Sequence, residues 1–322
     1  MAVSLLGMLA FVRPAVTAEV SAPVSNDFFP AVSGYEPSFF GWVLVDDPYG
    51  HFKVSIKYPF LPFVACGADT NSAFIGYKSG LYVAYTGIYD FYMTRSSSPI
   101  ISREQNPGLF FDFNRCFDLP LTATLGYFHD SNGQSINSRE EYLASREHPQ
   151  DLISRGWDYT LWGASYMFKL PWLDTVTEKK YLDLPRTQLH GQIFNYNPNF
   201  DKSNLTISTQ WLAFLDKQGF GAGWKEENVF WEDVTHQPKR SDYDGFRLKF
   251  MVQNAHYRLT ETIRTGTTAP NITSDLSFTF RVRKWLPISL QWHRGYGPDL
   301  ATYQVFSQRV VLGFELYDYK EQ

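Results

Sequence analysis

Polar and apolar residues alternate with a period of two along much of the chain. Between residues 276 and 283, each face of the alternation holds four residues: Leu276, Phe278, Phe280 and Val282 on one, and Ser277, Thr279, Arg281 and Arg283 on the other. Residues i and i+2 of a β-strand point to the same face, so this pattern predicts a strand. Two arginines on an inward face are costly in a dry core, but they suit the wet interior of a membrane barrel.

Windows of this kind predict about twelve strands. They lie at residues 36–46, 52–61, 73–90, 107–116, 120–130, 156–169, 204–215, 243–254, 256–265, 274–285, 288–296 and 304–317. Short connections alternate with long polar ones at 131–155 and 216–242, as in outer-membrane barrels. The segment 170–203 breaks this alternation and is interpreted as a periplasmic insertion. The sequence therefore predicts an all-β fold, a twelve-stranded antiparallel transmembrane β-barrel over residues 36–319.

The composition agrees with a barrel in the bacterial outer membrane. Aromatic residues make up 17% of the chain, with 27 Phe, 20 Tyr and 9 Trp, which fits interfacial aromatic girdles. No apolar stretch of about 18 residues predicts a membrane helix. The net charge of −4 gives no electrostatic footprint for nucleic acid.

The N-terminus resembles an export signal. Residues 1–18 contain an apolar core from Val3 to Val12, and small residues precede Glu19. These features predict a signal peptide over 1–18, with a disordered tail as the alternative. Residues 19–35 are then a flexible periplasmic lead-in.

The two cysteines, Cys66 and Cys116, suit an exported protein. A disulfide between them and a pair of free thiols both stay open, because the sequence does not fix their separation. No Cys or His spacing indicates a zinc site.

His129 and Ser131 continue an apolar row of the strand that ends near residue 131. The row consists of Leu121, Ala123, Leu125, Tyr127, His129 and Ser131. In a membrane barrel this row faces lipid, where polar residues cost free energy. A porin has no use for them there, whereas an enzyme that attacks lipid esters needs them on that wall.

These residue types can form a serine esterase. Ser131 becomes a nucleophile once a base takes its proton, and His129 is the candidate base. The imidazole needs a third group to orient it, and Asp158 falls on the outward face of the next strand. Gly133 offers a backbone N–H to the oxyanion.

The motifs also resemble a known family. The run "GYFHDSNG" at 126–133, followed by "SRGWD" at 154–158, is similar to the G-Y-x-H-x-S-N-G and S-R-S-W-N signature of the outer-membrane phospholipase A family. The segments 97–113 and 295–318 resemble the second outer loop with its following strand and the last hairpin of that family. The resemblance covers about 36–318 and is weak over 170–242.

The resemblance implies calcium-dependent hydrolysis of phospholipid acyl esters, with A1, A2 and lysophospholipase activity, in a homodimer. It assigns Ser131, His129 and Asp158 to the triad. It implies Ca²⁺ ligands at the Ser154 hydroxyl, the Gln134 carbonyl and the partner subunit's Ser97 or Ser98, and calcium prefers such oxygen ligands.

The chain departs from the family pattern at several places. Asp158 stands where the family has asparagine, and the loop between residues 131 and 158 is longer. Gly87 replaces a glutamine that supports dimer pairing in the family, and the chain ends in "YDYKEQ" without a terminal Phe. Two alternatives stay open: a non-catalytic porin or inactive homologue, and another lipid-modifying barrel such as a lipid A deacylase.

Overall fold

A computed structural model of the chain describes eleven stretches of residues. These are 32–63, 79–95, 100–114, 120–134, 139–144, 153–170, 204–215, 240–254, 257–266, 271–283 and 286–316. The predicted signal peptide, both cysteines, Ser97, Ser98 and all but the first residue of the predicted 170–203 insertion lie outside the described residues.

Within the described residues, thirteen strands form one antiparallel sheet. They are β1 (Ser33–Gly34), β2 (Ser38–Leu44), β3 (Tyr49–Phe63), β4 (Ser79–Phe91), β5 (Ile100–Asn114), β6 (Leu121–Ser131), β7 (Gly156–Lys169), β8 (Asn204–Phe214), β9 (Phe246–Gln253), β10 (Tyr257–Thr265), β11 (Thr273–Arg283), β12 (Leu286–Gly295) and β13 (Ser307–Leu316). Strand β3 pairs with β2 on one side and β4 on the other, and β2 pairs with β13. Strands β2 to β13 therefore close into a barrel, which confirms the predicted twelve-stranded antiparallel fold.

Helical structure is short in the described part of the chain. It consists of α1 (Arg139–Ala144) and one 3-10 turn (Arg240–Asp242). None of the described helices has the length and apolar character needed to cross a membrane.

The two faces of the strands are those that the alternation predicts. On β11, Phe278 and Phe280 are 43% and 46% exposed, whereas Thr279 between them is 1% exposed. Apolar side chains are exposed on other strands as well, as with Trp211 on β8 and Leu290 on β12. The outer wall is therefore apolar, and the polar positions turn inward.

Aromatic rings and ion pairs pack against one another inside the barrel. Phe110 lies 5.3 Å from Tyr82 and 6.1 Å from Phe128, and Phe128 lies 5.5 Å from Tyr159, all as stacked rings. Elsewhere inside the barrel, buried Arg258 pairs with Glu315, which offsets the cost of burying either charge alone. Packed side chains therefore occupy part of the barrel interior.

The predicted lead-in is wrong at its C-terminal end. Ser33 and Gly34 pair with Lys57 and Ile56 of β3, and the ring of Tyr35 lies 5.0 Å from that of Phe110. Burying an aromatic ring in this layer stabilises the segment, so residues 32–35 belong to the barrel and not to a flexible leader.

The segment between β12 and β13 folds inward behind β7. Leu300 and Tyr303 are buried in a cluster with Trp157, and the rings of Trp157 and Tyr303 meet edge to face at 5.2 Å.

Near this cluster, burial alone would raise the pKa of the Asp244 carboxyl, but Arg247 and Arg240 hold this pKa at about 2. Asp244 is therefore charged at neutral pH and ties this end of the barrel together.

Candidate active site

The pairing of β6 with β7 places His129 beside Asp158. Their Cα atoms are direct partners in the antiparallel ladder, and Ser131 pairs with Gly156 two residues on. Along β6, His129 and Ser131 share the face of exposed Leu125, and along β7, Asp158 shares the face of exposed Trp162. All three candidate residues therefore lie on the outer wall of the barrel.

A hydrogen bond joins the histidine and the aspartate. His129 Nδ1 donates to Asp158 Oδ1 over 2.8 Å, and the side chains are 29% and 9% exposed. A carboxylate that accepts from Nδ1 fixes the tautomer and orientation of the ring. This leaves Nε2 as the proton acceptor, which is the role of a general base.

Ser131 ends β6 and is partly exposed. Two residues along a strand span about 6.6 Å between Cα atoms, a distance that an imidazole and a hydroxyl can bridge. Within the described residues, no hydrogen bond joins the Ser131 hydroxyl to His129. Such bonds are often long in unliganded sites and tighten with substrate bound.

Asn132 clamps the turn that follows Ser131, and no role for it emerges from the sequence. Its side chain is fully buried, donates to the Ile153 carbonyl over 2.7 Å and accepts from the Arg155 N–H over 2.8 Å. Its backbone N–H also donates to the Arg155 carbonyl at 3.1 Å. An amide satisfies a donor and an acceptor at once, so Asn132 fixes the Ser131 turn against residues 153–155. The only signal in the sequence was its place in the "SNG" run.

Replacing Asn132 with alanine is expected to loosen this junction. The change leaves the Ile153 carbonyl and the Arg155 N–H without side-chain partners, and an unsatisfied buried group costs about 1–3 kcal/mol. Amide hydrogen exchange in the 153–156 segment should accelerate. Asn254→Ala is the matched control, because Asn254 accepts from the Tyr257 N–H at a distant turn. Unchanged exchange at 153–156 in Asn132→Ala would contradict the clamp.

Gly133 has the backbone conformation that the turn requires. Its φ is +54°, and an added Cβ would meet nothing within 4 Å. The glycine is therefore favoured by its left-handed conformation and not by crowding. Its carbonyl accepts a weak hydrogen bond from Arg103 Nη2 at 3.5 Å. Gly133 stays the candidate oxyanion donor, because its N–H lies two residues after Ser131.

The candidate calcium ligands on this chain fit an oxygen-loving cation. The Ser154 Oγ atom is buried and has no hydrogen-bond partner among the described residues, and Gln134 is buried next to the same turn. A buried hydroxyl without a partner is costly, and a cation would relieve that cost. No group of three or more His, Cys, Asp or Glu that could hold a metal occurs in the described stretches.

Two further histidine–carboxylate pairs face the barrel interior. His51 Nδ1 donates to Asp90 and His293 Nδ1 donates to Asp275, each over 2.6 Å. His51 and His293 are both buried. Of the three pairs in the described structure, His129 with Asp158 is the one on the outer wall.

Solved structures share this fold. Outer membrane phospholipase A from Escherichia coli has a TM-score of 0.55 and 18% identity, covering 93% of this chain and 95% of that one, and the same values hold for its active-site mutant in which an asparagine is replaced by alanine. The calcium-bound dimer of the Salmonella typhi outer membrane phospholipase has a TM-score of 0.56 and 18% identity, covering 91% and 94%.

The fold of this chain is therefore the twelve-stranded barrel fold of the outer membrane phospholipase A structures. The resemblance noted in the sequence is confirmed at the level of the fold. No protein-family model matches the chain, and no curated protein sequence does either.

Proposed function

We propose that this protein is a calcium-dependent phospholipase of the bacterial outer membrane. It hydrolyses acyl esters of phospholipids, with A1, A2 and lysophospholipase activity, through Ser131, His129 and Asp158. The observation that carries this proposal is the 2.8 Å bond from His129 to Asp158 on the outward face, two residues from a serine. Lipid esters can reach that wall directly from the membrane, whereas a water-soluble substrate would not contact a lipid-facing wall.

The geometry supports a two-step acyl transfer. His129 Nε2 takes the proton of the Ser131 hydroxyl while its oxygen attacks the ester carbonyl. The Gly133 N–H donates to the developing oxyanion. His129 then returns the proton to the leaving alcohol, and a water molecule activated in the same way releases the fatty acid. Asp158 holds the ring throughout and stabilises the imidazolium.

Calcium has a defined place in this proposal. The Ser154 hydroxyl and the Gln134 carbonyl would hold it, together with the partner subunit's Ser97 or Ser98 in a homodimer. Bound there, Ca²⁺ supplies positive charge beside the oxyanion. The dimer and the calcium of the Salmonella typhi protein support this arrangement, and the apolar outer wall supports the outer membrane as its location.

Removing calcium is expected to lower hydrolysis in mixed micelles by about 10²-fold or more, since lost oxyanion stabilisation has this magnitude. Added Ca²⁺ should restore it, and Mg²⁺ should not, because Mg²⁺ demands a tighter octahedral shell. Ser154→Ala should raise the calcium concentration for half-maximal activity.

Fatty acid release is the measurement that separates the proposal from the porin alternative. A porin would give ion conductance and no fatty acid. Equal fatty acid release with calcium and with a chelator would show that hydrolysis does not need calcium, and the proposal of an esterase would still hold.

A further inference from the structure

A bulge in β5 lies beside the candidate nucleophile. The register between β4 and β5 shifts between Ile88 and Asp90, so Tyr89 alone faces both Ser102 and Arg103. Ser102 is buried and has a φ of +56°, a left-handed conformation that no other described non-glycine residue adopts. Bulges commonly re-aim a side chain next to an active site, and a strained residue of this kind persists where the surroundings enforce it.

The bulge places the cationic side chain of Arg103 on the outer face of the barrel. Arg103 is exposed, and its Nη2 reaches the carbonyl of Gly133, two residues beyond Ser131. Among the described residues, no carboxylate forms an ion pair with Arg103. A guanidinium with a single weak hydrogen bond keeps most of its donors available. The chain thus holds a positive charge on the outer wall next to its nucleophile.

Neutral donors surround the same place. Gln105 is exposed and is the direct ladder partner of Ser131. On β4, the hydroxyls of Tyr85 and Tyr89 hydrogen-bond each other over 2.7 Å, which leaves one O–H of the pair free to donate. They meet above Gly87, where an added Cβ would lie 2.8 Å and 3.0 Å from the two hydroxyl oxygens. Glycine at this position therefore makes room for the hydroxyl pair.

We infer that Arg103, Gln105 and the Tyr85–Tyr89 hydroxyl pair bind the phosphodiester of a phospholipid whose ester lies at Ser131. The inference rests on the proposed function and names the feature of the substrate that the enzyme selects. Strand β5, which carries Arg103 and Gln105, is the direct neighbour of β6, and β4, which carries the two tyrosines, is the next strand beyond it. Because neighbouring strands are about 4.8 Å apart, these donors lie one to two strand spacings from the nucleophile. That reach suits a phosphate separated from the ester carbonyl by a few bonds.

The chemistry of the donors favours phosphate over other polar groups. A guanidinium matches phosphate oxygens in a planar fork, and charge-assisted hydrogen bonds of this type are the strong ones. Next to this cluster the wall becomes apolar, with exposed Val83 on β4 and Leu109 on β5, as acyl chains require. The arrangement thus places a polar anchor at one end of a lipid-covered surface.

A pair of matched lipids tests the inference. Arg103→Gln is assayed on phosphatidylcholine and on diacylglycerol with the same acyl chains, because only the first carries a phosphate. The value of kcat/KM should fall about 10- to 100-fold on phosphatidylcholine, the range for a lost hydrogen bond to a charged group. The value for diacylglycerol should change little. Arg294→Gln, which removes an exposed charge from distant β12, should alter neither.

The ratio of kcat/KM on phosphatidylcholine to kcat/KM on diacylglycerol decides between the possible outcomes. An equal loss on both lipids would show that Arg103 acts by holding the Gly133 turn, and it would overturn phosphate binding. No loss on either lipid would overturn it as well. Tyr85→Phe with Tyr89→Phe keeps both rings and should lower the phosphatidylcholine to diacylglycerol ratio several-fold, and an unchanged ratio would remove the hydroxyl pair from the site. A wild-type protein inactive on both lipids would instead refute the proposed function itself.

Discussion

Replacing Ser131 with alanine is expected to lower phospholipid hydrolysis by about 10⁶-fold, the size of effect seen when a serine nucleophile is removed. The alanine cannot form the acyl intermediate, and the remaining donors stabilise only the uncatalysed attack of water. Ser131 is partly exposed at the end of β6, so the truncation removes no core packing. The variant barrel should therefore fold, and its electrophoretic mobility should still change when the sample is heated.

A second serine provides the control for this experiment. Ser208 lies on β8 and donates to the Ser165 hydroxyl over 2.9 Å. Ser208→Ala removes the same atoms from the same barrel without touching the outer wall, and hydrolysis should stay within a few-fold of the wild type. Full turnover in Ser131→Ala would show that the nucleophile is a different group.

The barrel and the outward position of the candidate residues follow from local sequence pattern. A period of two fixes which side chains share a face, and the rule holds along β6 from Leu121 to Ser131. The strands predicted at residues 120–130 and 156–169 begin and end within a residue of the observed ones. Once these strands are neighbours, antiparallel pairing brings His129 to Asp158.

Features that depend on contacts between distant segments could not be predicted in the same way. The Asn132 clamp needs residues 153–155 to return across a long loop, and nothing in the alternation of the sequence indicates that. The Ser102 bulge is a shift of register between two strands, and a regular alternation conceals it. Tyr35 belongs to the barrel because of an aromatic layer contributed by strands far along the chain.

Residue 158 gives a graded test of how the histidine is oriented. In Asp158→Asn, the amide oxygen can still accept from His129 Nδ1, but the charge that stabilises the imidazolium is lost. We expect a loss of about 10- to 100-fold, because the hydrogen bond to Nδ1 is kept and only part of the general-base assistance of about 10²–10⁴-fold is lost. In Asp158→Ala the ring has no partner on β7, and the loss should approach about 10⁴-fold, as for other triads without their acid.

The interior of the barrel supplies the matched control for that series. Asp90→Asn alters the same kind of bond, from His51 over 2.6 Å, on the wall that faces away from lipid. If the outer pair carries the chemistry, this variant should keep hydrolysis within a few-fold of the wild type. Equal rates for aspartate, asparagine and alanine at position 158 would show that His129 does not depend on that residue. The 2.8 Å contact would then be structural, and the base would have to be oriented from β5 or from the 132–134 turn.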